Sequence, residues 1–98
     1  ERIAARLPLW EARTGLHPSA WQIKNMKTRW GTCNTATKKI WLNLQLVKQP
    51  PVCLDYVIAH ELTHLRYPGH GQDFKAFLTR AMPNWPEVRK ALNNQTFV

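Results

Sequence analysis

Apolar residues change their spacing three times along this chain, and each change marks a new kind of element. Over residues 3–14, Ile3, Leu7 and Trp10 recur at helical intervals and Gly15 stands where a helix end favours a left-handed residue. Pro8 interrupts the run, so this helix is either kinked or regular only from Pro8 onward. His17-Pro18-Ser19 reads as a turn, and His17 is assigned no metal role. From Trp21 the period becomes two. Trp21 and Ile23 alternate with Gln22 and Lys24, but Met26, Thr28 and Trp30 continue on the opposite parity, which predicts a bulge or turn near residues 25–27. A second strand is expected over 28–33, a polar loop over 34–37, and a third strand over 38–44 with Ile40, Leu42 and Leu44 on one face and Trp41 and Asn43 on the other. The connections are too short for crossover helices, so the sheet is expected to be antiparallel.

Helical spacing returns after Pro50-Pro51. Leu54, Val57, Ile58, Leu62 and Leu65 form one apolar stripe of a helix running to about residue 67. Asp55 suits the positive end of that helix and points away from the pair of histidines on it. Phe74, Phe77, Leu78 and Ala81 predict a second helix over about 72–82 whose aromatic stripe belongs to the core, and Pro83 stops it. A short helix follows over about 86–92, with a loose end beyond it. These elements describe an α+β domain, a small sheet of about three strands packed against the 54–65 helix with flanking helices.

Chemistry concentrates on that central helix. His60 and His64 are four apart and leave the helix side by side, with Cβ atoms ~5–6 Å apart. Glu61 faces the same cavity from the next position, where its carboxylate can take a proton from an activated water. Pro68-Gly69 breaks the helix, and His70 follows, free to swing back as a third ligand. Three imidazoles with a fourth position open are the donor set of a catalytic zinc, one ion per chain. For the oxyanion of such a reaction the candidates are Tyr67, Arg29 and Tyr56, and Asp73 is the candidate acceptor orienting a ligand imidazole. Asp73 reads equally well as an exposed acid in the first turn of a helix.

Composition narrows the surroundings. Ninety-eight residues make one domain with one core, and no run of apolar residues is long enough to span a membrane. The first residues lack the form of a signal peptide, so a cytoplasmic location and reduced Cys33 and Cys53 are expected, both as buried free thiols. The sequence starts at Glu1 without a methionine, which suggests a C-terminal fragment of a longer chain. A net charge of +8 would suit an acidic partner, yet the basic residues are spread along the chain, with concentrations only at Lys24-Lys27-Arg29 and Lys38-Lys39. A scattered excess is an ordinary soluble surface more often than a nucleic-acid footprint.

Taken together, Trp30-Gly31-Thr32-Cys33-Asn34, the strand Ile40-Trp41-Leu42-Asn43-Leu44, the helix from Leu54 to Leu65, and His70-Gly71 with Phe74 resemble the YgjP-like metallopeptidase domain. That family is similar to the SprT-like and WLM peptidases among the small zincins. The resemblance runs from about Trp21 to Trp85 and implies a zincin-like fold and a zinc-dependent hydrolase acting on peptides or proteins, with His60, His64 and His70 as ligands and Glu61 as base. Members are usually longer at the N-terminus, in keeping with a fragment. The histidine spacing also equals that of the metzincins, but those proteins need glycine where this chain has Tyr67, and only Met82 could stand for their methionine turn. Two other functions compete: a nucleic-acid-associated SprT-like protease or basic DNA-binding module, and a non-catalytic domain stapled by zinc for protein interaction. The intact Glu61 weighs against the last.

Overall fold

The computed structural model describes residues 2–93, and the loose end expected after the last helix lies outside them. Helix α1 (Arg2–Thr14) buries Ile3, Leu7 and Trp10. Pro8 sits inside the helix on its exposed face, where water can take up the Ala4 carbonyl that the proline ring leaves without an amide donor. Gly15 closes the helix at φ +72°, its amide donating to the Glu11 carbonyl.

Strands β1 (Ala20–Lys24), β2 (Gly31–Asn34) and β3 (Lys39–Asn43) form a sheet in the order β1-β3-β2. The sheet is mixed. β2 pairs antiparallel with β3 as expected, but β1 lies parallel to β3, with Trp21 opposite Ile40 and Ile23 opposite Leu42. Short connections forbid a crossover only between strands adjacent in sequence, and here β2 intervenes between the parallel pair. The expected strand start at Thr28 is also displaced, because residues 25–30 form no strand. Asn43, fully buried at the end of β3, donates through its side-chain amide to the carbonyls of Met26 and Arg29, and its own backbone amide donates to Trp30. Those bonds lead the chain past the end of β3, so β2 lands on its far side. The polar loop over 34–37 is a turn held by Asn34 Oδ1, which accepts from the amides of Ala36 and Thr37.

β3 ends at Asn43, so Leu44 leaves the Ile40–Leu42 face. It opens a 3-10 helix (Leu44–Lys48) and is 46% exposed. Helix α2 (Pro51–His64) starts with proline at its first position and is buried over most of its surface. It stops three residues short of the expected end, and the next turn is closed by the Tyr67 amide donating to Thr63. Helices α3 (Gln72–Ala81) and α4 (Trp85–Asn93) pack on it through Phe74 and Leu78, and through Val88 and Leu92. α2 thus touches α1, α3, α4, β2 and β3. Asp55 ties it to α1: Arg6 donates to both carboxylate oxygens at 2.7 and 2.6 Å, and Trp10 Nε1 donates to one of them at 2.9 Å. The acid expected only to favour the helix dipole is therefore a buried clamp between two helices.

Candidate active site

The C-terminal end of α2 and the loop after it bring His60, His64 and His70 together. Their rings lie 4.8 Å (His60 to His64), 5.2 Å (His60 to His70) and 4.6 Å (His64 to His70) apart between centroids, and one potential ligand atom from each falls within 4.8 Å of the others. Two of the three leave one helix face a turn apart. The third is delivered by Pro68-Gly69, which ends the helical path and returns the chain over the first two. Phe74, in the first turn of α3, touches all three rings at 4.7–5.1 Å and forms the apolar floor under them.

Burial lowers the imidazole pKa of His64, and the neighbouring His60 lowers it further against the opposing charge of Glu61. His70 is lowered by burial and then by His64 and His60. Neutral imidazoles are the form that binds metal. The tautomer of His64 follows from its partner: Nδ1 lies 3.3 Å from the Tyr67 carbonyl, so that nitrogen carries the proton and Nε2 is left free. His60 Nδ1 lies 3.2 Å from Glu61 Oε2 in the same way. The Glu61 carboxylate is 5% exposed and stands directly over Gly31 of β2. Lys38 donates to the Leu65 carbonyl at 2.9 Å, fixing the C-terminal end of α2 to the β2–β3 turn.

The remaining candidates separate. Asp73 is exposed and bonds to no imidazole among the described residues; the acceptor beside His64 is the Tyr67 backbone carbonyl, which has no side-chain signature. The Tyr67 hydroxyl accepts from Arg66 Nε at 3.0 Å and its ring packs on Phe77, which turns it from the histidines. Arg29 is exposed at the rim of the cavity that holds Glu61 and His60. Tyr56 is buried one turn before His60, 5.6 Å from its ring, and lines the cavities on both sides of it. Burial, with a smaller contribution from Glu61, pushes its phenol up to about 12, and no hydrogen bond engages its hydroxyl among the described residues. Cys33 is half-buried rather than buried, and burial pushes its thiol up to about 11. Cys53 is buried, and both thiols are free. His17 faces Glu11 at 3.0 Å, in the turn after α1.

A three-stranded sheet behind an HExxH helix, with three histidines gathered at that helix's end, defines a zincin-like metallopeptidase. The chain belongs to the YgjP-like, metallopeptidase domain family, which matches residues 1–95. No curated protein sequence matches it. Among solved structures it is similar to the metallopeptidase zymogen abylysin of Pyrococcus abyssi, at TM-score 0.84 and 16% identity over 98% of this chain and 99% of that one. It is also similar to the metallopeptidase zymogen jannalysin of Methanocaldococcus jannaschii, at TM-score 0.80 and 23% identity over 95% of this chain and 88% of that one. Among the described residues no helix is long and apolar enough to cross a membrane.

Proposed function

We propose that this metallopeptidase is a zinc enzyme in which His60, His64 and His70 hold one ion and Glu61 is the general base. The observation that carries the reading is the convergence of three imidazoles, one of which, His60, lines a cavity together with the buried carboxylate of Glu61. The donor set fits the ion: nitrogens bound to one zinc at ~2.0–2.1 Å stand about 3.3 Å apart, and small rotations of rings whose potential ligand atoms now lie within 4.8 Å of one another close that gap. Bound zinc supplies a Lewis acid that polarises the scissile carbonyl and brings the pKa of a water toward ~7. Glu61 takes the water's proton and passes it to the leaving amine. Tyr56, rather than Tyr67 or Arg29, donates to the developing oxyanion, since it lines both cavities beside His60 and no hydrogen bond engages its hydroxyl among the described residues.

The substrate lies extended along β2. β3 is bonded on both sides, whereas β2 is an edge strand that begins under Glu61 and is open to an added strand.

Elemental analysis of the chain purified without added metal tests the ligand set: one zinc per chain is expected, and much less in His70→Ala. Glu61→Gln should keep the zinc and lose peptide cleavage by ~10²–10⁴-fold. Full zinc in His70→Ala would remove His70 from the site, and unchanged cleavage by Glu61→Gln would remove Glu61 from the chemistry.

A further inference from the structure

The cavity on the other side of His60 from β2 holds groups that the hydrolysis does not use. Tyr56, His60, His70 and Phe74 line it together with Lys75, Trp85 and Arg89, around about 250 Å³. No carboxylate lines it. Arg89 and Lys75 make no ion pair among the described residues, so two cations face the cavity uncompensated. Arg89 is close enough for its charge to act on both Tyr56 and His70. Trp85 is half-buried and held in place by its own Nε1, which donates to Thr79 Oγ1 at 3.0 Å. Trp85 and Arg89 also line the next cavity along α4 with Lys90, so the basic wall continues away from the site.

We propose that this cavity is a substrate subsite that binds a carboxylate of the peptide, from an acidic side chain or from the chain's C-terminus, on the side of the scissile bond away from β2. The inference rests on the peptidase reading above. A guanidinium presents a fork of donors that matches a carboxylate, and a fixed indole gives the neighbouring methylenes an apolar wall. The cavity is smaller than the ~300–1,000 Å³ of sites that enclose a drug-sized ligand. It is therefore scaled to one residue of a peptide rather than to a nucleotide.

The test is calorimetric titration of the zinc-loaded Glu61→Gln chain with three alanine-based hexapeptides. One carries an internal glutamate and an amidated end, one a free C-terminal carboxylate and no acid, and one neither. At least one carboxylate peptide should bind tenfold or more tightly than the neutral one, and which of them does so identifies the source. Arg89→Glu should abolish that preference. Arg89→Gln, neutral and at an exposed position, should reduce it without reversing it. Equal binding of all three peptides, or a preference that survives Arg89→Glu, overturns the subsite. So does a short single-stranded oligonucleotide that binds more tightly than any peptide and loses that binding in Arg89→Glu. Wild-type cleavage of the same peptides separates the two readings. Cleavage without a carboxylate preference defeats the subsite alone, whereas a preference in binding with no cleavage of any peptide defeats the peptidase reading and leaves the subsite standing.

Discussion

A methyl group at position 31 would have nowhere to go. A Cβ there would lie 2.8 Å from Val57 Cγ1, 3.1 Å from Glu61 Oε2 and 3.2 Å from Glu61 Cγ. The need for glycine is steric, because only Gly15 among the described glycines has a positive φ. β2 can approach α2 closely because it begins without a side chain, and that approach fixes where the Glu61 carboxylate sits. Gly31→Ala must push Val57 or Glu61 aside, at a cost of about 1–3 kcal/mol for overpacking. A displacement of ~1 Å in a reacting group can cost on the order of 10²-fold in rate. The expected outcome is a loss of at least about tenfold in kcat/KM with zinc content unchanged, since the atoms nearest an added Cβ belong to Val57 and Glu61 and not to a histidine. Full activity in Gly31→Ala would show that the β2 contact does not position the base.

Elements whose signal is local were legible, and those whose position depends on distant partners were not. The period of 3.6 over Phe74, Phe77, Leu78 and Ala81 foretold α3 to within a residue, because a periodic stripe reports burial of one face wherever the partner lies. The grouping of His60, Glu61 and His64 was legible for the same reason, being fixed by one helix, and His70 lies only six residues further on. Strand pairing was not, because it turns on Asn43. Alternation puts Asn43 on the same face as Trp41, yet its partners are backbone carbonyls up to seventeen residues away, and a carbonyl leaves no mark in a sequence. The Tyr67 carbonyl on His64 was hidden in the same way, which is why Asp73 drew attention instead. Asn43→Ala tests how much the strand arrangement depends on this residue. It strips partners from Met26, Arg29 and the Gln45 amide, and an unpaired buried polar group costs about 1–3 kcal/mol. Urea denaturation should show a loss of that size, with faster amide exchange over residues 25–30. An unchanged midpoint would mean that the loop holds its path without the side chain.

At the scale of the whole molecule, α2 is clamped at two places by different means. Away from the histidines, Asp55 binds Arg6 and Trp10 of α1 without any ion. At the histidine end, Phe74 packs against the three imidazoles, and a metal shared by them would add a second tie between α2 and the loop leading into α3. An ion that binds the folded chain and not the unfolded one stabilises it by RT ln(1 + [L]/Kd), ~2.7 kcal/mol at a free concentration 100 times Kd. For a domain of this size each kcal/mol moves Tm by roughly 4–8 °C. Zinc at that excess should therefore raise the Tm of the metal-free protein by about 10–20 °C, somewhat less if the unfolded histidines and cysteines also hold the ion. His70→Ala removes the ligand that comes from outside α2, so the remaining pair can bind zinc without tying the loop before α3 to α2. Its shift at the same free zinc should be less than half that of the wild type. Asp55→Asn, by contrast, should lower Tm with and without zinc by the same amount, because the clamp on α1 shares no partner with the histidines. Equal zinc shifts in wild type and His70→Ala would place the stabilising ion elsewhere and leave α3 held on α2 by the packing of Phe74 and Leu78 alone.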